Sequence, residues 1–426
     1  MVPSATRQNG HNGEQDLDLT SSAVEHRMTE NEPSDNHTTG AASNGVSQPN
    51  VQELDASKLT YTFTQNPREP PPLGITADNG NSICTDHMII AKWSAKNGWA
   101  APELKPYGPL SLMPTASVLH YATECFEGLK VYRGYDGKLR LFRPDCNCER
   151  MLMSSIRICL PSFPAKQLEK LVLALMSVDG PKWLARDRPG NFLYVRPTMI
   201  GTQSQLGVQA PSEAMLYIIL SYMAKMDSPA GGMKLHTSPD DMVRAWVGGF
   251  GYAKLGANYG PSLMANKEAR ARGFHQILWL YGESGECTEA GASNFFVVWK
   301  TREGKTQIVT APLDDRLILA GVTRRSVLTL ARERLADEVE IVERKYTIDE
   351  VIEASTEGRL IESFASGTAY FICPVSLIHH RGRDIQIPAG KGGEGAPITL
   401  RLKNWLVDIK YGREEHPWGV VVPEEH

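Results

Sequence analysis

The sequence has few of the features that mark secreted, membrane-spanning or nucleic-acid-binding proteins. Its 426 residues include only 7 cysteines, an odd number that does not suit a disulfide framework and that favours a reducing compartment. No apolar run approaches the roughly 18 residues that a membrane span requires, and no charged-then-apolar segment opens the chain. These absences predict a cytoplasmic protein with no membrane partner. A mitochondrial location stays open as the alternative, although the acidic start of the chain is unlike a transit peptide.

The net charge of −4 is small and unevenly distributed. Residues 1–55 contain nine acidic residues against two arginines, a local charge of −7, which leaves +3 for the rest of the chain. A charge of +3 over some 370 residues does not favour a nucleic-acid partner. Residues 1–55 are also poor in apolar side chains, so burial cannot offset the entropy of ordering them. We therefore predict a disordered acidic tail at residues 1–55.

The rest of the chain mixes short strand-like runs with segments of helical periodicity. These patterns predict strands at 88–93, 139–142, 192–196, 214–220, 276–281, 294–299 and 306–309, and helices at 143–160, 167–182, 261–272, 322–336 and 347–357. A Ser-Pro-Ala-Gly-Gly stretch at 228–232 is the best linker. The sequence thus predicts a mixed α/β (α+β) fold with an N-terminal domain at 56–227, a linker at 228–233 and a larger domain at 234–426. The alternation is too irregular for a barrel or a doubly wound sheet.

The most unusual stretch is residues 248–261, where five glycines surround Lys254. Its spacing fits neither the Walker phosphate loop nor the dinucleotide fingerprint. On composition alone, a surface loop with a solvated lysine is the commoner explanation. However, Tyr252, Leu255 and Tyr259 place apolar bulk near the lysine, and a desolvated lysine loses its proton more easily and becomes an imine-forming nucleophile. Such a lysine suits a carbonyl cofactor. Neither the histidines nor the cysteines form a metal-ligand pattern, so no metal is expected.

Together with this loop, six further motifs resemble the branched-chain aminotransferases of eukaryotic type, which are pyridoxal-phosphate enzymes of fold type IV. They are Leu-His-Tyr-Ala-Thr-Glu-Cys-Phe-Glu-Gly-Leu-Lys at 119–130, Leu-Phe-Arg-Pro at 141–144, Tyr-Val-Arg-Pro at 194–197, Leu-Trp-Leu-Tyr-Gly at 278–282, Thr-Glu-Ala-Gly-Ala-Ser-Asn at 288–294 and Ser-Gly-Thr-Ala at 366–369. The motifs follow the order of the family, and the resemblance extends from about residue 61 to about residue 423. It implies two α/β domains with pyridoxal 5'-phosphate between them.

The resemblance implies a set of cofactor-binding residues. Lys254 is the catalytic lysine that carries the cofactor, Glu289 meets the pyridine nitrogen and Tyr259 donates to the phenolic oxygen. The phosphate ligands are expected at Arg150, Val322, Thr323 and Thr368, because a guanidinium and a helix N-terminus both suit a phosphate dianion. Without the resemblance, Glu289 would be interpreted as a loop acid, Tyr259 as a packed tyrosine and Arg150 as an exposed helix arginine. Val322 and Thr323 would be a plain helix start, and Thr368 would be part of a β-turn.

The resemblance also implies substrate-binding residues. Tyr194 and Arg196 alternate with apolar residues on a predicted strand, so both side chains point to one face. Arg196 is expected to bind the side-chain carboxylate of glutamate, and Thr368 and Ala369 the substrate carboxylate. Tyr121, Phe126 and Val208 are expected to line the apolar part of the pocket. Tyr121 is expected to reach the site of a neighbouring subunit, which implies a homodimer.

The implied function is reversible ping-pong transamination of leucine, isoleucine and valine with 2-oxoglutarate, giving 2-oxo acids and glutamate. Ala292 and Ser293 stand where some relatives carry Thr and Met, so an enzyme for an unusual aliphatic amino acid in a secondary pathway is an alternative. Residues 126–130 and 194–196 argue against D-amino-acid aminotransferase and aminodeoxychorismate lyase, which share the fold. An inactive homologue with a binding or regulatory role is the alternative from another class. The intact set of Lys254, Tyr259, Glu289 and Arg150 argues against it.

Overall fold

A computed structural model describes residues 51–75, 77–78, 80–223, 228–369 and 371–424. The acidic tail predicted for residues 1–55 lies outside these ranges as far as Asn50. Its last residues are described and are packed, since Gln52 forms a bridge with Gly98 and Leu54 is buried in the first hydrophobic core. The predicted boundary at residue 55 is therefore too late, because Leu54 contributes apolar surface to that core.

Seven α-helices lie in the described part of the chain, and local signals explain several of their ends. Pro144 occupies the first turn of one helix, and Thr347 and Glu350 form a capping box at the start of another. The helices are Ser117–Tyr121 (α1), Pro144–Arg157 (α2), Ala165–Trp183 (α3), Ser262–Ala271 (α4), Val322–Arg334 (α5), Ile348–Thr356 (α6) and Pro397–Lys410 (α7). The five predicted helices agree with α2 to α6 to within a few residues at each end.

The strands divide into two groups along the chain. The first group is Thr60–Tyr61 (β1), Ala77–Asp78 (β2), Asn81–Ser82 (β3), His87–Ser94 (β4), Gly98–Trp99 (β5), Glu103–Pro106 (β6), Glu124–Phe126 (β7), Leu129–Arg133 (β8), Leu139–Phe142 (β9), Phe192–Gly201 (β10) and Glu213–Ser221 (β11). The second group is Met233–Thr237 (β12), Gln276–Tyr281 (β13), Glu286–Ala290 (β14), Ser293–Lys300 (β15), Thr306–Thr310 (β16), Glu340–Glu343 (β17), Leu360–Gly367 (β18), Phe371–His380 (β19) and Arg383–Gln386 (β20). A last strand, Gly419–Val421 (β21), ends the series.

The first sheet has ten strands in the order β1-β6-β4-β11-β10-β8-β9-β21, with β5 beside β4 and β7 beside β10. Its neighbours are antiparallel except for β1 and β6. The change from this sheet to the next falls between Ser221 and Met233, around the predicted linker at 228–233. The C-terminal β21 returns to the first sheet, so the segment predicted as the second domain contributes a strand to the first.

The second sheet has nine strands in the order β14-β13-β12-β19-β18-β15-β16-β17, with β20 beside β19. Because β14 also pairs with β15, six of these strands form a closed ring of pairings. The expectation that the fold contains no barrel is wrong for this half. Closure depends on pairing between strands far apart in sequence, and short irregular alternation in the chain carries no sign of it.

The two sheets share a hydrophobic core, which fixes the position of the site between them. Tyr132 and Phe192 of the first sheet pack in one cluster with Phe296 and Phe364 of the second, together with residues of α5 and α7. Residues from Val51 onward form one compact unit. The motifs at 126–130, 254–259, 289–294 and 366–369 therefore meet at a junction that is held rigid on both sides.

Candidate active site

Lys254 lies at this junction, held through its main chain by two elements of the first half. Its N–H donates to Ser154 Oγ on α2 (2.8 Å), and its carbonyl accepts from the N–H of Phe126 on β7 (3.1 Å). The next residue, Leu255, is buried and forms a bridge with Cys125. The glycine at 256 is required here, because a Cβ atom at that position would lie 1.7 Å from Glu124 Oε1. The glycine-rich loop is therefore a packed segment, and the surface-loop explanation is wrong.

The side chain of Lys254 points between two aromatic rings. Nζ lies 3.1 Å from Tyr259 Oη, within hydrogen-bond distance, and 4.9 Å from the centre of the Phe126 ring. The two rings also touch each other, with centroids 5.3 Å apart. A short 3-10 turn at Gly256–Asn258 brings Tyr259 back toward the lysine. Of the three residues predicted to flank the amine, Tyr259 contacts Nζ, whereas Tyr252 lies under the guanidinium of Arg316.

Glu289 is buried on β14 and keeps an oxygen available. One oxygen, Oε1, accepts from the N–H of Leu319 (3.2 Å) and from Asn294 Nδ2 (3.3 Å). The other, Oε2, forms an ion pair with Arg244 Nη2 (2.7 Å), and that guanidinium also donates to two backbone carbonyls. Glu289 Oε2 accepts no hydrogen bond from any described residue. Burial raises the pKa of this carboxyl, and the charge of Arg244 opposes the rise.

Arg150 on α2 is buried and forms a forked pair with a carboxylate to which the sequence analysis gave no role. Its Nε and Nη2 donate to the two oxygens of Glu127 (2.7 and 2.9 Å), and its Nη1 donates to the carbonyl of Ala320 (2.9 Å). Glu127 also accepts from Asn147 Nδ2 (2.7 Å) and from the N–H of Gly128 (3.1 Å). Burial alone would raise the pKa of Glu127, but the Arg150 guanidinium holds it below its ordinary value. Glu127 thus fixes the direction of Arg150.

The N-terminus of α5 faces the same space. Val322 and Thr323 are its first two residues, so their N–H groups have no partner within the helix. Opposite them lies Thr368, in the connection between β18 and β19. Its Oγ1 donates to the carbonyl of Gly128 (3.3 Å). Arg150, the α5 N-terminus and Thr368 together make one end of the cavity suitable for an anion.

Arg196 and Tyr194 project from β10 into the cavity as the alternation predicted. Arg196 Nη2 donates to Tyr194 Oη (3.0 Å), and its guanidinium lies over the Phe126 ring at 4.7 Å. Arg196 Nε is buried and has no hydrogen-bond partner among the described residues. Gly128 makes this arrangement possible, since a Cβ atom there would lie 1.9 Å from the Tyr194 hydroxyl. The guanidinium therefore has an unused donor in a partly apolar setting.

Two predicted pocket residues lie outside this cavity. Val208 is 85% exposed in the loop between β10 and β11, and Tyr121 is 37% exposed at the end of α1. The Tyr121 hydroxyl donates to the carbonyl of Leu206 in that loop. The prediction that Val208 lines the pocket is wrong for this protomer's own cavity, because the loop that carries it turns outward. Both residues instead belong to one exposed surface.

The remaining predicted residues line a single cavity of about 450 Å³, a size typical of a small-molecule site. Besides Lys254, Tyr259, Glu289, Arg150 and the other residues described above, the lining includes Ala369 and several residues that the sequence did not single out. These are Met233, Arg270, Gln276, Ala290, Asn294, Leu319, Gly321, Ser366 and Gly367, and the lining also contains Ala292 and Ser293.

This donor set fits pyridoxal phosphate. The cavity offers an amine beside a phenol, a buried carboxylate oxygen with an unused lone pair, and an anion-binding end built from a guanidinium and a helix N-terminus. The described residues contain no group of three or more His, Cys, Asp or Glu side chains that could hold a metal ion. Nor is any helix in those ranges long and apolar enough to cross a membrane.

Comparison with known proteins gives a consistent result. Residues 124–378 match the family model described as amino-transferase class IV. The chain is 46% identical over 370 residues to a Schizosaccharomyces pombe protein named branched-chain-amino-acid aminotransferase, mitochondrial, with coverage of 86% of this chain and 85% of the relative. It is 44% identical over 374 residues to a Saccharomyces cerevisiae protein named branched-chain-amino-acid aminotransferase, cytosolic, with coverage of 87% and 98%.

A solved structure extends this comparison to the fold. The branched-chain amino acid aminotransferase of T.th., complexed with N-(5'-phosphopyridoxyl)-L-glutamate, is similar with a TM-score of 0.59 and 26% identity. The similarity covers 78% of this chain and 98% of that one. It confirms the predicted fold class, a mixed α/β fold of type IV.

Proposed function

This chain belongs to the class IV aminotransferase family, and we propose that it transfers amino groups between branched-chain L-amino acids and 2-oxoglutarate. The reaction converts leucine, isoleucine or valine and 2-oxoglutarate into the matching 2-oxo acid and L-glutamate, and it is reversible. The observation that carries this proposal is the convergence of Lys254, Tyr259, Glu289 and Arg150 on a cavity that also contains Arg196. The names of the S. pombe and S. cerevisiae relatives support the choice of substrates.

The cofactor that fits this cavity is pyridoxal 5'-phosphate. When bound, it supplies an electron sink, because its protonated ring accepts the electron pair that the substrate α-carbon releases. Lys254 would hold it covalently, and Arg150, Thr368 and the N–H groups of Val322 and Thr323 would hold its phosphate. The free oxygen of Glu289 would face the ring nitrogen and keep it protonated, and Tyr259 would donate to the phenolic oxygen.

Lys254 has a second task as the acid–base group. Once a substrate amine had taken its place, Nζ would be free to accept the proton of the substrate α-carbon and to deliver it to the cofactor carbon that Lys254 had held. Its position beside the Tyr259 hydroxyl and over the Phe126 ring limits the directions in which Nζ can move. Proton transfer by one positioned amine also explains why the two half-reactions share a single cavity.

The cavity must hold both an aliphatic side chain and a carboxylate, since glutamate and leucine bind in turn. Arg196 meets both demands. Its guanidinium lies over the Phe126 ring and hydrogen-bonds to Tyr194, and its Nε remains available for a carboxylate oxygen. When an aliphatic substrate is bound, the hydrogen bond to Tyr194 still gives the charged guanidinium of Arg196 a polar partner.

A substrate panel with 2-oxoglutarate as acceptor tests the proposed function. We expect leucine, isoleucine and valine to react and aspartate, alanine and D-amino acids to react poorly. Failure of all three with reaction of another aliphatic amino acid would favour the secondary-pathway alternative. Failure of every amino acid by a protein that retains bound cofactor would favour the inactive homologue.

The change R196M tests how the cavity accepts glutamate. Methionine keeps apolar contact with Phe126 but removes the charge, so we expect kcat/KM for 2-oxoglutarate to fall by about 10- to 100-fold, the range for a lost charge-assisted hydrogen bond. The value for the 2-oxo acid of leucine should change by less than about 3-fold. The matched control is R270M, which removes another arginine from the cavity lining. Equal losses for both 2-oxo acids in R196M would contradict this role.

We also propose that the protein is a homodimer in which Tyr121 reaches the partner's site. Tyr121, Leu119, Leu206 and Val208 are all exposed, and α1 and the loop that carries Leu206 are joined by the Tyr121 hydrogen bond. An apolar surface of this kind is more often covered than left in water. Sedimentation should give about twice the mass of one chain, and a monomeric active enzyme would contradict the proposal.

We place the protein in the cytoplasm. The cysteines are free and mostly buried, as suits a reducing compartment. The names of the relatives include both cytosolic and mitochondrial forms, so location within a living cell, followed with a fluorescent fusion, decides between them.

A further inference from the structure

Two lysines are buried together behind the anion-binding end of the cavity. Lys130, in β8, is 3% exposed, and Lys410, at the end of α7, is 2% exposed. Both Nζ atoms lie against the ring of Phe371, at 4.9 and 3.7 Å from its centroid. Lys130 Nζ is also 4.0 Å from the centre of the Phe192 ring. No carboxylate in the described part of the chain pairs with either lysine.

Burial without a counter-ion is costly, so these lysines need an explanation. Burial lowers the pKa of Lys130 to about 7 and lowers that of Lys410 well below its ordinary value, with the charge of Lys130 adding to the shift at Lys410. The two lysines differ in one contact. Lys130 Nζ donates to the carbonyl of Ala369 (2.8 Å), whereas Lys410 Nζ lies over the rings of Phe142 and Phe371.

Ala369 belongs to a tight hairpin that the chain holds in an unfavourable conformation. Gly367 at the end of β18 pairs with Phe371 at the start of β19, and Thr368 and Ala369 follow Gly367 directly. Phe371 has a φ of +61°, in the left-handed region that non-glycine residues rarely adopt. Such a conformation is strained and persists only where the surroundings impose it.

Two residues of one short segment, Gly128 and Lys130, bind this hairpin. The carbonyl of Gly128 accepts from Thr368 Oγ1 (3.3 Å), and two residues later Lys130 donates to Ala369. At this point the hairpin, which belongs to the second sheet, contacts the first sheet, and Thr368 and Ala369 line the cavity. The contacts with residues 128–130 therefore set where the hairpin lies in the site.

We propose that Lys130 is a positioning residue that holds Thr368 and Ala369, through the Ala369 carbonyl and the Phe371 ring, so that these two residues can bind the carboxylate of the substrate. This role rests on the proposed function, because it assigns the hairpin a carboxylate ligand. Lys130 contacts no reacting atom. It acts through Ala369, and its absence lowers affinity for carboxylates more than it slows the chemical step.

The test uses the holoenzyme and 4-methylvaleric acid, which has the carbon skeleton of leucine but no amino group and therefore binds without reacting. K130M keeps the length and apolar stem of the side chain and removes the donor. We expect its Kd for 4-methylvaleric acid to rise about 10-fold, as for the loss of one hydrogen bond to a charged group. KM for leucine should rise in parallel while kcat stays within about 3-fold, the pattern of lost uniform binding.

K410M is the matched control, since it removes a buried amine from the same ring without touching Ala369. Its Kd should stay within about 3-fold of the wild-type value. Equal weakening in K130M and K410M, or wild-type affinity in K130M, would overturn the proposal. If K130M does not fold, K130Q replaces it. A glutamine amide is one atom shorter than the lysine, so a Kd raised at least about 3-fold supports the role and wild-type affinity overturns it.

Failure of the proposed function and failure of the Lys130 role give different experimental results. A wild-type enzyme that neither binds 4-methylvaleric acid nor transaminates leucine would overturn the proposed function, and the role of Lys130 would fall with it. A wild-type enzyme that does both, beside a K130M variant indistinguishable from it, would overturn the role of Lys130 alone.

Discussion

Replacing Lys254 by alanine is expected to lower the rate of transamination by about 10⁴-fold, the upper range for a positioned acid–base group. The residue has two tasks in the proposed mechanism, since Nζ both holds the cofactor and carries the α-proton. Its surroundings offer no substitute, because Nζ lies between Tyr259 and Phe126 and no second amine lines the cavity in the described residues. Single-turnover kinetics with leucine measure the loss.

The control for this change is K267A, which removes an exposed lysine from α4 close by in sequence. It should leave the rate within about 2-fold of the wild-type value, as for most surface substitutions. Added methylamine should restore part of the rate to K254A, because a small amine can enter the space left by the side chain and move the proton. A K254A variant with near wild-type activity would contradict the assignment.

The change E289Q is expected to lower kcat by about 10²- to 10³-fold, the loss typical of a preorganised electrostatic contact. Glutamine has the same shape as glutamate, but it has no charge with which to keep a ring nitrogen protonated. The oxygen concerned, Oε2, accepts no hydrogen bond from the described residues and is therefore free for that task. The matched control is E286Q on the same strand, whose carboxylate pairs with Lys345 at the surface. It should keep nearly full activity.

A structural role for Glu289 must be separated from this catalytic one. E289Q leaves the half-buried Arg244 without its carboxylate, and we expect this loss to lower the free energy of unfolding. The double variant E289Q/R244M removes both charges and should regain much of that stability, measured by urea denaturation. Its kcat should stay low. Recovery of kcat together with stability would show that Glu289 only supports the fold.

Local signals in the sequence were sufficient for five of the seven α-helices and for seven of the strands in the described residues. Most site residues came instead from the family resemblance. The capping box at Thr347 and the proline at 144 mark helix starts that the structure has within a residue or two. The alternation that placed Tyr194 and Arg196 on one face also holds, since both line the cavity. In each case the structure is determined by interactions within a few residues along the chain, so the local sequence predicts it.

What the sequence did not predict depends on contacts between distant segments. The barrel closure needs β12 to pair with β19 and β15 to pair with β18, and β21 joins the first sheet from the far end of the chain. The family resemblance placed Val208 in the pocket, but its loop turns the side chain outward. Glu127 lies within a recognised motif, yet its role depends on Arg150, which is 23 residues away. An acidic residue between apolar neighbours in the motif at 119–130 was the signal available for it.

The identity of the cofactor-bearing residue is the central claim, and borohydride reduction followed by peptide mass mapping tests it most directly. Reduction makes the link between lysine and cofactor permanent, so the modified peptide can be identified. We expect a single pyridoxyl adduct, on the peptide that contains Lys254, and we expect this adduct to disappear when leucine is added before reduction. An adduct on another lysine, or none on Lys254 in an active enzyme, would contradict it.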